Sequence, residues 1–134
     1  MNTDTTLLVI GAGSYQRPLI EYAAKHYRMV LAAPSIPDDL ACLAARSLIC
    51  DVRDKDKILQ IAQAERVHGV VTDQTDIPVR TVAYVAEQMH LPGIGMETAT
   101  LFTNKALMRE KQLELGLPVL RHSVTARLED AIAF

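Results

Sequence analysis

Leu7-Leu8-Val9-Ile10-Gly11-Ala12-Gly13-Ser14-Tyr15-Gln16 is the stretch that decides the fold of this 134-residue chain. Four successive apolar residues leave no polar face, so the run reads as a strand covered on both sides. Gly11 ends it, and Gly13 permits a second tight bend before Leu19, Ile20, Ala23, Ala24 and Tyr27 recur at helical spacing. Strand, glycine turn and helix in that order begin a parallel α/β unit.

Working outward, the unit repeats. Met29–Ala33 is a second apolar run stopped by Pro34, and Leu40, Leu43 and Ala44 line a short helix that Asp38 or Asp39 can cap. Ser47–Cys50 is a third short strand, with Leu48–Cys50 its apolar part, and Ile58, Leu59, Ile61, Ala62 and Val67 mark the helix after it. Gly69–Val71 is a fourth strand; Val79, Val82, Ala83, Ala86 and Met89 mark the next helix, with Pro78 tolerated in its first turn. Strands alternating with amphipathic helices predict an α/β fold, a Rossmann-like three-layer parallel sheet with right-handed crossovers. Ligands of such sheets bind beyond the carboxyl ends of the strands. The loops to watch are therefore Gly11–Arg17, Ala33–Pro37, Asp51–Asp54 and Thr72–Asp76.

The remainder reads differently. Leu91–Gly95 is at most a minimal strand. A short helix near Glu97–Phe102 and a helix from Asn104 to Leu115, stopped at Gly116, come next. Val119–Val124 has the composition of a strand in a new layer, and Glu129–Phe134 opens a helical pattern too short to hold unaided. The expectation from these patterns is a domain over residues 1–95 and a segment over residues 96–134 that leads into a missing domain.

Composition narrows the function classes. A formal charge of −2 gives no reason to expect nucleic acid or an anionic membrane surface as a partner. No apolar run approaches the ~20 residues of a membrane span, and the start Met1–Thr6 lacks the basic beginning of a signal peptide. Cys42 and Cys50 have no metal or redox spacing and read as small buried hydrophobes of a reducing cytoplasm. His26, His68, His90 and His122 are scattered without ligand spacing, so no metal residue and no catalytic residue is assigned.

Three places carry candidate chemistry. Gly11–Gln16 opens a helix whose N-terminus favours an anion. As a dinucleotide fingerprint it departs at its third glycine position, which is Gln16, and the second strand ends in Ala32-Ala33-Pro34 where an acid should meet a ribose. A strand-to-helix turn capped by Ser14 is the structural alternative. Arg17 opposes the helix dipole and is either an anchor for a carboxylate or phosphate or a solvated surface arginine. Asp73 and Asp76 either meet a substrate amine or metal or cap the following helix. The third place is Lys105, a cation in the first turn of a helix, where the dipole disfavours it unless an anion arrives.

The stretch from Leu91 to His122 resembles the junction between the N-terminal and ATP-binding domains of the ATP-grasp superfamily, on Gly95, Ala99, Asn104-Lys105, Met108, Gly116 and Leu117-Pro118-Val119. The opening Leu7–Tyr27 is similar to the start of the carbamoyl-phosphate-synthetase-like and biotin-carboxylase-like members. Asn104 stands where aspartate is usual, and Leu120 follows Pro118-Val119 where proline is usual. The resemblance implies the N-terminal, pre-ATP-grasp domain of an ATP-dependent carboxylate–amine or carboxylate–nucleophile ligase working through an acyl phosphate. It implies substrate contacts from Gly11, Gly13, Ser14, Gln16, Arg17 and Asp73, and an ATP-phosphate contact from Lys105. ATP and magnesium then belong to a longer parent; the chain alone is expected to be inactive and to hold neither tightly. The implied partners are a small carboxylate or amine and the ATP-grasp domain of the same polypeptide, with a homo-oligomer left open. An NAD(P)-type dinucleotide domain and a non-enzymatic flavodoxin-like binding module are the alternatives.

Overall fold

The computed structural model describes residues 5–134; the acidic start Met1–Asp4, read above against a signal peptide, lies outside them. Four parallel strands, β1 (Thr6–Ile10), β2 (Arg28–Ala33), β3 (Arg46–Ile49) and β4 (Gly69–Val71), form one sheet in the order β3-β2-β1-β4. The register pairs Leu8 with both Val30 and Val70, and Ala33 with Ile49. Helices α1 (Arg17–His26), α2 (Asp38–Ala41), α3 (Lys55–Ala64) and α4 (Val79–Gln88) connect and follow the strands.

The apolar runs are buried on both faces, as their lack of alternation requires. Leu8, Ile10, Val30 and Ala32 point to one side, where Ile58 and Ala62 of α3 and Val85 and Ala86 of α4 cover them. Val9, Met29, Leu31 and Ala33 point to the other, against Ile20 and Ala23 of α1 and Leu40 of α2. The result is the three-layer α/β sheet expected from the sequence. Strand β3 begins and ends earlier than its apolar part, because it is an exposed edge paired only with β2. Cys50 still donates its backbone N–H to the Ala33 carbonyl at 3.0 Å, just past the end of the strand.

Helix α5 (Met96–Thr103) and helix α6 (Lys105–Glu114) follow, then a short α7 (Leu128–Ala133). Leu91–Gly95 forms no strand. A Cβ on Gly93 would lie 2.8 Å from that of Ala86, and Gly95 takes φ +80°, which turns the chain into α5. Val119–Val124 is likewise not a strand. An isolated strand leaves its amides and carbonyls without a ladder partner, and among the described residues none runs beside it.

Candidate functional site

The strand order changes direction at β1: β2 lies on one side of it and β4 on the other. This is the switch point of an open α/β sheet, where the loops after β1 and β4 diverge and leave a crevice. One side chain spans it. Gln16 lies in a 3-10 turn (Ser14–Gln16) between β1 and α1 and is 5 % exposed. Its Nε2 donates to the Ile10 carbonyl at 3.3 Å, to Thr72 Oγ1 at 3.3 Å and to the Asp73 carbonyl at 3.1 Å. Its Oε1 accepts from the Gly13 amide at 3.0 Å. Thr72 Oγ1 in turn donates to the Ile10 carbonyl at 2.8 Å. Gln16 therefore buttons the glycine turn to the β4 loop.

This explains the departure from the dinucleotide pattern. Gly11 takes φ +102°, and a Cβ there would fall 2.3 Å from Gln16 Nε2. Glycine is required at that position to admit the glutamine amide. The Gly13 N–H, which a phosphate would need, already has an acceptor. The turn is filled from within.

Above it Gly11, Gly13, Gln16, Pro34, Val52 and Ile77 contribute to a cavity of about 380 Å³. Three of the sequence-predicted substrate residues, Gly11, Gly13 and Gln16, thus share one crevice. Asp73 joins them through its carbonyl, and its Oδ1 is buried without a hydrogen-bond partner. Ser14 and Arg17 are set apart. Ser14 is exposed and caps nothing, since the residue before α1 is Gln16 and no side-chain cap forms there. Arg17 pairs with Asp39 of α2 and, at 3.4 Å, with Glu21. Its hydrogen bond to Asp39 holds that carboxyl below the usual range. Nor do Asp73 and Asp76 cap α4, which follows Pro78 with no side-chain cap. Asp38 and Asp39 sit inside the first turn of α2 rather than at its cap, which is Pro37.

Lys105 is the first residue of α6 and is exposed, with no ion pair among the described residues. Asn104 caps the helix, accepting from the amides of Ala106 at 3.0 Å and Leu107 at 3.3 Å. Those two amides are thus occupied. Among the described residues no group of three or more His, Cys, Asp or Glu is placed to hold a metal ion, and no helix is long and apolar enough to cross a membrane.

The Gln16 bridge was not anticipated from the sequence. Its one signal was the glutamine at the third glycine position; its partners Thr72 and Asp73 lie 56 and 57 residues away.

No protein-family model matches the chain, and no curated protein matches it. Solved structures do. Phosphoribosylglycinamide synthetase from Anaerococcus prevotii superposes with a TM-score of 0.81 at 21% identity, over 96% of this chain and 33% of that one. L-amino acid ligase from Bacillus licheniformis gives 0.76 at 17% identity, over 97% and 35%. The biotin carboxylase domain of 2-oxoglutarate carboxylase from Hydrogenobacter thermophilus, in complex with MgADP, gives 0.71 at 14% identity, over 95% and 31%. The chain spans about a third of the length of these proteins. Its fold is that of the N-terminal domain of ATP-grasp enzymes.

Proposed function

We propose that this chain is the substrate-side domain of an ATP-dependent carboxylate–amine or carboxylate–nucleophile ligase, residues 1–95 forming the substrate wall and 96–134 leading into an ATP-grasp domain of the same polypeptide. The observation that carries the reading is the extent of the structural likeness. It covers 96% of the chain at a TM-score of 0.81, so it includes helices beyond the sheet as well as a widely shared α/β core. The proteins matched include a synthetase, a ligase and a biotin carboxylase domain, the last in complex with MgADP.

The site chemistry fits this division of labour. The crevice over Gly11 and Gly13 offers close backbone approach to a small molecule, with Gln16 holding its floor and the buried Asp73 Oδ1 awaiting a donor such as a substrate amine. Lys105 suits a phosphate oxygen as a point donor. Magnesium belongs, in this reading, with the nucleotide on the partner domain; among the described residues of this chain no group of three or more His, Cys, Asp or Glu is placed to hold a metal ion. ATP, when bound there, would supply the phosphoryl group that activates the carboxylate. The filled glycine turn speaks against the NAD(P) alternative.

The test is ADP release by the polypeptide carrying this chain, challenged with a panel of small carboxylates and amines. ADP formation that requires one carboxylate and one nucleophile together supports the reading. Thermal stabilisation by NAD(P) with no ADP release under any pairing would replace it with the dinucleotide one.

A further inference from the structure

A second cavity lies outside the switch-point crevice. It measures about 530 Å³ and is bounded by Arg53, Lys55, Asp76, Arg80, Thr81 and Thr103. We propose that this cavity binds an oxyanion, a phosphate or carboxylate group of a small molecule, through Arg53, Lys55, Arg80 and the Thr81 hydroxyl.

Each cation is held in place by a contact that leaves donors free. Arg80 donates from Nε to Thr103 Oγ1 at 2.7 Å, a neutral partner that fixes the guanidinium and leaves both terminal nitrogens available. Thr103 is itself anchored, donating to the Ala99 carbonyl at 2.7 Å. Lys55 Nζ sits 4.5 Å from the centre of the Tyr84 ring, and Tyr84 is in turn oriented by Asp56 at 3.1 Å. Neither Lys55 nor Arg80 has a carboxylate partner among the described ion pairs. Arg53 is clamped by Asp51 through Nε and one terminal nitrogen, with the other left over. Against these stands one lining carboxylate, Asp76.

Thr81 adds a neutral donor to this set. It lies in the first turn of α4 and lines the cavity. Its hydroxyl, beside two cations without a carboxylate partner among the described ion pairs, completes a donor set of the kind that holds an oxyanion. Helix α4 also begins here with no side-chain cap on its first turn. An arriving oxyanion satisfies all of these at once.

The site needs neither ATP nor a second domain, so its failure would leave the ligase reading standing. The experiment is amide NMR titration of this chain with inorganic phosphate, with phenyl phosphate and with succinate. Saturable shifts at Arg53, Lys55, Arg80 and Thr81 are expected for one or more of them, with saturation below about 10 mM. Phosphate-only response assigns the group as phosphoryl; succinate-only response assigns it as carboxylate. Lys55→Gln and Arg80→Gln should each weaken binding about tenfold, the loss of one charge-assisted contact, with Thr81→Val as a charge-neutral third variant. Thermal melts verify that each variant folds, and Lys55→Gln, on an exposed residue, remains informative should Arg80→Gln loosen α5. Shifts spread over every surface lysine and arginine, absence of saturation, or affinity unchanged in the variants would overturn the proposal.

Discussion

The sheet and the tail of this molecule are held by different means. In the sheet, Leu8, Ile10, Val30 and Leu31 are wholly buried and packed by helices from both sides. In α6 and α7 no residue is buried. Leu113, Leu120, Leu128 and Ile132 all lie exposed. Helix α6 owes its limits to local chemistry: Asn104 caps one end, and at the other Gly116 takes φ +66° while the Leu117 amide donates to the Gln112 carbonyl at 2.9 Å. That is the hydrogen-bond pattern of a Schellman stop. The comparison teaches that the sheet is specified by burial and the tail by its punctuation, with the tail's large apolar side chains left exposed.

Substitutions can break this contrast. The largest effect is expected from Leu8→Ala, which opens a cavity in the sheet core and should cost about 2–5 kcal/mol in urea unfolding. Leu113→Ala should stay within about 0.5 kcal/mol. Equal losses at the two sites would show that the tail shares the core. Next comes Gln16→Ala. It leaves the Gly13 amide and the Asp73 carbonyl at the switch point without their glutamine partner and should cost about 1–3 kcal/mol. Exchange of the amides in the Thr72–Asp76 loop should quicken with it.

Asn104→Ala removes a cap worth about 1 kcal/mol to α6. Because α6 carries no buried residue, the loss should appear as faster amide exchange within Lys105–Glu114 with the global melting temperature nearly constant. The smallest effect concerns the exposed Asp51. The hydrogen bonds from Arg53 lower its carboxyl from an ordinary 3.8 to about 2 in the folded state. The depressed value means that its contribution to stability is fully present above 3.8 and is lost as the pH falls toward about 2. A carboxyl NMR titration should find the midpoint near 2, and Arg53→Gln should return it toward 3.8.

The same contrast governs what the sequence reveals. Leu7–Ile10 and Met29–Ala33 declared two-sided burial through unbroken apolar runs, and Gly69–Val71 matched its strand residue for residue. Asn104 and Gly116 likewise marked both ends of α6, since caps and glycine stops act over a few residues. Legibility failed where a partner decides the outcome. Val119–Val124 has strand composition but no neighbouring strand, so it stays irregular. Gln16 read as a defect in a glycine motif, because its hydrogen-bond partners across the crevice are remote in the chain. Arg17 read as an anchor for an incoming anion or a solvated residue, and its surface ion pair with Asp39 on α2 went unseen because the partner lies on another helix.

The functional account turns on Lys105, a cation placed against the dipole of α6 and left without an ion-pair partner among the described residues. The most direct test is Lys105→Ala in the polypeptide that carries this chain, with melting temperature and ATP kinetics measured on the same preparation. Losing a charge-assisted phosphate contact should weaken apparent ATP affinity or slow turnover about tenfold or more, while the melting temperature holds or rises slightly. A large drop in melting temperature with unchanged ATP kinetics would contradict the account and make Lys105 a structural residue.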